Sequence, residues 1–328
     1  MHVYNRMLYD IMSKEKKNMP TSIGFIMVTH EKPNQIIRLI KRLNSMFDNP
    51  AIVCHHDYSK CYMPIDILPN NVVIVQPHLK TKWGEFSLVE AMIKALDIMY
   101  SLPESPDWFV LLSGADYPIK SGNEILHDLE SSQYDAYMHY EKLISNINEI
   151  PSKLEWCNSP YGATYWHKLS YERYYCVNIQ IPLPDRNIRI KQIRINIIKN
   201  PHLAKFFLPF TKELQCFFGE FWFCANRKSA KYLLEYHKTK PALAQHYKKV
   251  QIPDESYCQT ILCNAVHLKV KNENFRYIDW SEGGYHPKTL TCEDLPKIIK
   301  SSAHFARKLD IEVDVRILDE LDSYITSK

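Results

Sequence analysis

Residues 23–29 have the sequence IGFIMVT, a continuous apolar run near the start of the chain. An unbroken apolar run of this length is typical of a strand buried on both faces, because a strand with one exposed face carries alternating polar residues. A polar turn follows at residues 30–34, and apolar side chains then recur at helical spacing from Ile36 to Leu43. The segment therefore predicts a buried strand followed by an amphipathic helix.

The same alternation continues along the first half of the chain. Short apolar runs at residues 51–55, 72–75 and 108–113 predict further strands, and a helix is predicted to begin near Phe86. Strands that alternate with amphipathic helices indicate βαβ units, and hence a mostly parallel sheet flanked by helices. The predicted fold class is therefore α/β.

Ligands of parallel sheets bind at the carboxyl ends of the strands. His30, Asp57 and the turn at residues 113–116 (Ser-Gly-Ala-Asp) follow three of the predicted strands. We therefore expect His30, Asp57 and Asp116 to lie near a nucleotide. Since Asp116 is followed by a Tyr-Pro pair, an alternative is that it forms the turn and has no contact with a ligand.

The composition indicates a globular chain with a large core. The 328 residues are 45% hydrophobic and 24% charged, with a net charge of +4, and so small an excess does not predict a nucleic acid partner. The nine cysteines contain no CxxC pair, so reduced thiols are predicted instead of disulfides or a zinc site. We find no apolar segment of about 20 residues and no secretory signal, and therefore expect a cytoplasmic protein.

Seven sequence blocks occur in an order that resembles one enzyme family. They are VTHEKP (28–33), CHHDYS (54–59), WGEFSLVEA (83–91), FVLLSGADYPI (109–119), GEFWF (219–223), PDESYCQTI (253–261) and HFARKLD (304–310). In this order they are similar to the core-2/I-branching β-1,6-N-acetylglucosaminyltransferase family, which also contains peptide O-xylosyltransferases. The resemblance covers about residues 22–312. The animal members have a membrane anchor and luminal disulfides that this sequence lacks, which points to a bacterial-type member.

The resemblance implies a GT-A-like fold and an inverting glycosyltransferase. In such an enzyme a carbohydrate hydroxyl displaces UDP from a UDP-sugar, without a divalent metal or other cofactor, and a β-linkage forms. Most GT-A enzymes hold a metal through an Asp-x-Asp triplet. This sequence has no two aspartates separated by a single residue, which agrees with metal independence.

The sequence pattern, which loosens past residue 130, predicts a division of the chain, and the family implies a reaction. Residues 1–20 are expected to be an N-terminal extension, 21–130 the nucleotide-sugar-binding half, and 131–328 the acceptor-binding and catalytic half of the same domain. The expected reaction transfers N-acetylglucosamine (GlcNAc) from UDP-GlcNAc in bacterial surface polysaccharide synthesis. Alternative donors are UDP-xylose, UDP-glucuronate or another UDP-sugar, and the competing hypothesis is a carbohydrate- or nucleotide-binding protein without catalysis.

A sugar hydroxyl needs a base when it attacks, because its pKa lies far above the working pH. The family's base is the glutamate of a Pro-Asp-Glu loop, which is Glu255 here, with Asp254 in a supporting role. The alternative is that these residues simply begin a helix, where acidic side chains are favoured. The family's cations on the leaving diphosphate correspond to Lys288 and Lys308, and Arg307 is a third candidate.

The acceptor sugar is expected to be held by aromatic faces and carboxylates close to these blocks. The candidates are Glu220, Trp222, Trp280, Glu282 and Tyr285. Trp83 and Trp108 are expected to pack in the core instead, as large aromatic side chains usually do.

Residues 186–199 interleave isoleucine with arginine and lysine. Such a segment is typical of a solvated helix or strand face. The alternative is peripheral contact with anionic lipid at the inner face of the membrane, where a lipid-linked acceptor would lie.

Overall fold

A computed structural model describes residues 21–151, 154, 162–180, 192–196, 207–283 and 286–328 of the chain. Predictions about residues 1–20, Tyr285 and most of 186–199 lie outside these residues. Of the last segment, only the strand Gln192–Asn196 is described.

The described chain alternates strands and helices in its first half and is less regular afterwards. The strands are β1 Ile23–Thr29, β2 Ile52–His56, β3 Val72–Ile74, β4 Trp108–Ser113, β5 Tyr117–Pro118, β6 Ala136–Met138, β7 Glu141–Lys142, β8 Cys176–Gln180, β9 Gln192–Asn196, β10 Phe217–Phe218, β11 Phe223–Asn226, β12 Val270–Asn272, β13 Arg276–Ile278 and β14 Phe305–Arg307. The helices are α1 Pro33–Phe47, α2 Ser87–Ser101, α3 Gly122–Glu130, α4 Gly162–Tyr175, α5 Arg227–Thr239, α6 Pro241–Tyr247, α7 Tyr257–Cys263, α8 Leu295–Lys300 and α9 Arg316–Thr326. Short 3₁₀ helices lie at Ile147–Glu149, Pro253–Glu255 and Cys292–Asp294.

Seven of the described strands form one sheet in the order β12-β6-β11-β4-β1-β2-β3. Neighbours β4, β1, β2 and β3 are parallel, and β12 is parallel to β6, whereas β11 runs antiparallel to β4 and β6. This sheet confirms the predicted α/β class with a mostly parallel sheet. β1 and β4 have the predicted bounds, β2 lies one residue later than predicted, and β3 ends one residue earlier.

Strand β1 lies inside the sheet, between β4 and β2, and both of its faces are covered. All of its residues are buried. Phe25 and Met27 join the hydrophobic core that contains the apolar side of α1, and Ile26 and Val28 join the core that contains the apolar side of α2. This two-sided burial explains why the strand needs an unbroken apolar sequence.

A smaller sheet, in the order β13-β14-β5, brings the C-terminal part of the chain to the end of β4. The N–H of Leu309 donates to the carbonyl of Ala115 at 2.9 Å. The side-chain amide of Gln35 donates to the carbonyls of Gly114, at 2.7 Å, and Leu309, at 3.0 Å. Residues 307–310 are therefore fixed beside the turn that follows β4.

Other sequence predictions can be compared with the described residues. Trp108 is 6% exposed and packs in the core as predicted. Seven cysteines of the described residues are free, at positions 54, 61, 216, 224, 258, 263 and 292. Among the described residues, we find no helix that is both long enough and apolar enough to cross a membrane.

The division of the chain at residue 130 stays a prediction. Strands β6, β11 and β12, which follow residue 130, belong to the same sheet as β1 to β4.

Candidate active site

A cleft of about 580 Å³ opens at the carboxyl ends of β1 and β4. His30, which follows β1, and residues 113–115, at the end of β4, line it. Arg307 and Lys308 line it from the end of β14. The cleft thus lies where a parallel sheet is expected to bind a ligand. Burial and the nearby charge of Lys60 lower the pKa of His30, so its imidazole is mostly neutral at pH 7.

Asp57 is fully buried and is not among the residues that line the cleft. Its Oδ1 accepts hydrogen bonds from the N–H and hydroxyl of Ser59, at 3.0 and 2.6 Å, and its Oδ2 from the N–H and hydroxyl of Thr81, at 2.7 and 2.8 Å. Burial alone would raise the pKa of this carboxyl, but these hydrogen bonds outweigh it and hold the pKa well below its usual range. Asp57 therefore joins two loops, instead of presenting the open acceptor expected for a nucleotide.

Asp116 is also fully buried. Its Oδ2 accepts from the N–H of Ser113 at 2.6 Å. Arg276 Nε lies 3.6 Å from its Oδ1, and Arg307 Nη1 lies 3.7 Å from its Oδ2. This geometry favours the turn-forming alternative, because the carboxylate faces protein groups and orients an arginine of the cleft.

Arg307 and Lys308 form a basic wall on one side of the cleft, which Lys32 and Lys60 also line. The guanidinium of Arg307 lies 4.2 Å from the ring centroid of Trp222, and the side chain is 14% exposed. Lys288 is placed differently: its Nζ is 2.7 Å from Asp294 Oδ1, and it does not line the cleft. Of the family's two lysines, only Lys308 is therefore in position for a ligand in this cleft.

Glu255 ends the 3₁₀ helix Pro253–Glu255. The preceding Ile252 has a φ of 52°, in the left-handed region that a β-branched residue rarely adopts. Its N–H donates to the carbonyl of Gly84 at 2.9 Å, and its carbonyl accepts from the hydroxyl of Tyr174 at 2.8 Å. These two hydrogen bonds hold the loop that carries Glu255.

The carboxylate of Glu255 pairs with Arg173, whose Nη1 lies 3.0 Å from Oε2. Arg173 is 6% exposed, whereas Glu255 keeps 41% of its side-chain surface exposed and lines the cleft. Burial, together with repulsion from Asp254 and Glu220, outweighs the attraction of Arg173 and raises the pKa of Glu255 to about 7. Such a carboxylate can accept a proton near neutral pH.

Glu255 also lines a second, adjoining cavity of about 640 Å³. The two cavities share Glu220, Glu255, Ile278 and Trp280. The carboxylate of Glu220 accepts a hydrogen bond from the side-chain amide of Asn274. A carboxylate with a raised pKa therefore lies where two cavities meet, as is required of a base that acts between two substrates.

The residues predicted to hold the acceptor sugar differ in whether they line the cleft. Glu220, Trp222 and Trp280 line the cleft. Glu282 is exposed and does not line either cavity.

The prediction that Trp83 packs in the core is wrong. Its side chain is 60% exposed and lines the cleft. Its ring centroid lies 6.0 Å from that of His286. The residue precedes α2 in a turn, so its ring faces the cleft instead of the apolar side of the helix.

Arg173 is a residue of the site that was not predicted from the sequence. It lies on α4 within YERYY (171–175), which shows no apolar periodicity, and it meets Glu255 across 82 residues of sequence. Local patterns cannot reveal such a contact, because it depends on how α4 packs beside the turn at residues 253–255. The only signal in the sequence was an arginine within a run of tyrosines, at residues 171–175.

In the described ranges of the chain, no three His, Cys, Asp or Glu side chains are grouped so that they could hold a metal ion.

Known proteins are similar to this chain over most of its length. The sequence model described as Core-2/I-Branching enzyme matches residues 23–149 and 164–302. Xylosyltransferase 1 of Rattus norvegicus is 23% identical over 93% of this chain and 36% of its own length. Beta-glucuronosyltransferase GlcAT14A of Arabidopsis thaliana is 25% identical, over 68% and 43% of the two chains.

A third relative is matched over most of both chains. Beta-1,3-galactosyl-O-glycosyl-glycoprotein beta-1,6-N-acetylglucosaminyltransferase of Homo sapiens is 21% identical, over 97% of this chain and 72% of its own. The chain spans only about a third of the length of the xylosyltransferases that it matches. Since the family model matches residues 23–149 and 164–302, which are most of the chain, the chain belongs to the core-2/I-branching enzyme family.

Proposed function

We propose that the chain is an inverting glycosyltransferase that transfers a sugar from a UDP-sugar to a carbohydrate hydroxyl without a divalent metal. The observation that carries this proposal is the position of Glu255 between the cleft, with its basic wall of Arg307 and Lys308, and the second cavity. The relatives are named as xylosyl-, glucuronosyl- and N-acetylglucosaminyltransferases, and these names support the reaction class.

In the proposed reaction the acceptor oxygen bonds to the anomeric carbon while the bond from that carbon to the diphosphate oxygen breaks. The electron pair of the broken bond leaves with UDP, and the hydroxyl proton passes to Glu255. Attack opposite the leaving group inverts the configuration. Lys308 and Arg307 offset the negative charge that grows on the diphosphate, an effect that is largest in the transition state.

UDP-GlcNAc is the donor that we propose, in the synthesis of a bacterial surface polysaccharide. UDP-xylose and UDP-glucuronate are the alternatives, because relatives are named as xylosyl- and glucuronosyltransferases. We place the reaction in the cytoplasm, at the inner face of the membrane if the acceptor is lipid-linked. A binding protein without catalysis is the weaker hypothesis, since binding alone does not need a carboxylate with a pKa of about 7 between two cavities.

A donor screen tests the proposed function. UDP release is measured from UDP-GlcNAc, UDP-xylose and UDP-glucuronate, with and without a pool of oligosaccharide acceptors. We expect one of the three donors to release UDP only when an acceptor is present. UDP binding without release from any donor would favour the binding protein.

We expect UDP to bind in the presence of excess EDTA, because Lys308 and Arg307 supply positive charge on the wall of the cleft. Isothermal titration calorimetry with EDTA, and then with added Mn²⁺ or Mg²⁺, measures this directly. Binding that required the metal would contradict the metal-free proposal.

We expect Lys308→Ala to weaken UDP binding and to slow transfer by about 10- to 150-fold, since a hydrogen bond to a charged group contributes about 1.5–3 kcal/mol. Calorimetry with UDP and steady-state kinetics measure the two effects. Lys288→Ala is the matched control, because the Lys288 ammonium contacts Asp294 outside the cleft. Equal losses in both variants would contradict a specific contact from Lys308 to the diphosphate.

A further inference from the structure

A third cavity, of about 1070 Å³, adjoins both parts of the candidate site. It shares Trp83 and His286 with the cleft and Arg173 with the second cavity. We call it the basic groove, and its further lining includes residues 82–87 and 248–252. The groove therefore adjoins the arginine that pairs with Glu255.

Charge in the basic groove is unbalanced. Lys82, Arg173, Lys248 and Lys249 line it, against the carboxylates of Glu85 and Glu90. The ammonium of Lys82 lies 2.5 Å from Glu85, and that of Lys248 lies 2.8 Å from Glu90. Arg173 pairs with Glu255 at 3.0 Å, so the four cations face three carboxylates. The groove therefore keeps one unit of positive charge, with Lys249 as the further cation, and this excess attracts anions.

Two aromatic side chains give the basic groove exposed apolar faces. Trp83 is 60% exposed and Tyr165 is 41% exposed, and both line the groove. Aromatic side chains of this size usually bury most of their surface, so their exposure beside a candidate site indicates a binding surface. The C–H face of a sugar ring fits a flat aromatic surface of this kind.

We propose that the basic groove binds the part of the acceptor that lies beyond the attacked sugar, and that this acceptor is an anionic oligosaccharide carrying carboxylate, sulfate or phosphate groups. The aromatic faces stack against sugar rings, and the lysines pair with the anionic groups. This inference rests on the proposed glycosyl transfer, because it takes the carboxylate of Glu255 as the point where the acceptor hydroxyl lies.

The test measures binding of two probes by calorimetry, with the cleft filled by saturating UDP so that an anion cannot bind in place of the diphosphate. The anionic probe is a heparin-derived tetrasaccharide and the neutral probe is chitotetraose. We expect the anionic probe to bind more tightly, and the double variant Lys248→Gln/Lys249→Gln to weaken its binding about tenfold, as expected for two exposed ion pairs. Binding of chitotetraose should change less than twofold.

The matched control is the double variant Lys41→Gln/Lys300→Gln. It makes the same change in net charge at exposed positions that do not line the groove. Equal weakening by both double variants would overturn the proposal, as would tighter binding of the neutral probe. Because the assay needs no turnover, it is independent of the donor screen: lack of transfer with intact groove binding would contradict only the catalytic proposal.

Discussion

Glu255→Gln should lower the turnover number by about 10²- to 10⁴-fold while leaving UDP affinity almost unchanged, since this is the usual contribution of a general base. Glutamine has nearly the same size, and its amide oxygen can still accept the hydrogen bond from Arg173, which is 3.0 Å from Glu255 in the native protein. It cannot take a proton from the acceptor hydroxyl. Steady-state kinetics and calorimetry with UDP separate the two effects.

Two further variants make this result specific. Glu104→Gln is the matched control, because Glu104 is exposed and lies outside the cleft. Asp254→Asn tests the neighbouring carboxylate, which is 8% exposed and also lines the cleft. If Asp254→Asn abolished turnover and Glu255→Gln did not, the base would be Asp254. Near-normal turnover in both variants would show that Pro253–Glu255 is a structural turn without a catalytic base.

Arg173→Met should move the pH dependence of turnover upwards. In the native protein, turnover should fall as the pH drops through about 7, because the pKa of Glu255 is about 7 and only the ionised carboxylate accepts a proton. Removing the guanidinium removes the interaction that favours ionisation, and an adjacent opposite charge is worth about 1–3 pKa units. Turnover at pH 7 should therefore fall by about 5- to 500-fold and recover in part at higher pH.

The pH profile distinguishes this role of Arg173 from a purely structural one. Arg173→Lys keeps the charge and should keep the midpoint near that of the native protein. Circular dichroism identifies a variant that has failed to fold, since Arg173 is only 6% exposed. A folded Arg173→Met variant with lower turnover and an unchanged midpoint would show that Arg173 does not set the ionisation of Glu255.

The fold could be predicted from sequence because its evidence is local. The apolar runs at residues 23–29 and 108–113 have the bounds of β1 and β4, since burial on both faces leaves a continuous apolar pattern. The location of the cleft also followed, because parallel strands end at the same edge. Local evidence is absent for β11, whose antiparallel pairing with β4 joins distant parts of the chain.

The roles of single side chains were harder to predict. Asp57 and Asp116 lie in the expected loops, but their oxygens face protein donors and cations, and sequence does not show which way a carboxylate points. Lys288 matches a family position, yet it contacts Asp294. The partner of Glu255, Arg173, is 82 residues away. Each of these outcomes depends on tertiary packing.

The left-handed conformation of Ile252 connects the basic groove to the loop that carries Glu255. Ile252 lines the groove, and its N–H is held by the carbonyl of Gly84, another groove residue. A strained β-branched residue keeps such a conformation only while its surroundings enforce it. A ligand that displaced Gly84 would therefore also release the loop of Glu255. Different acceptors would then differ in the turnover number that they support, while the enzyme would bind them with similar affinity.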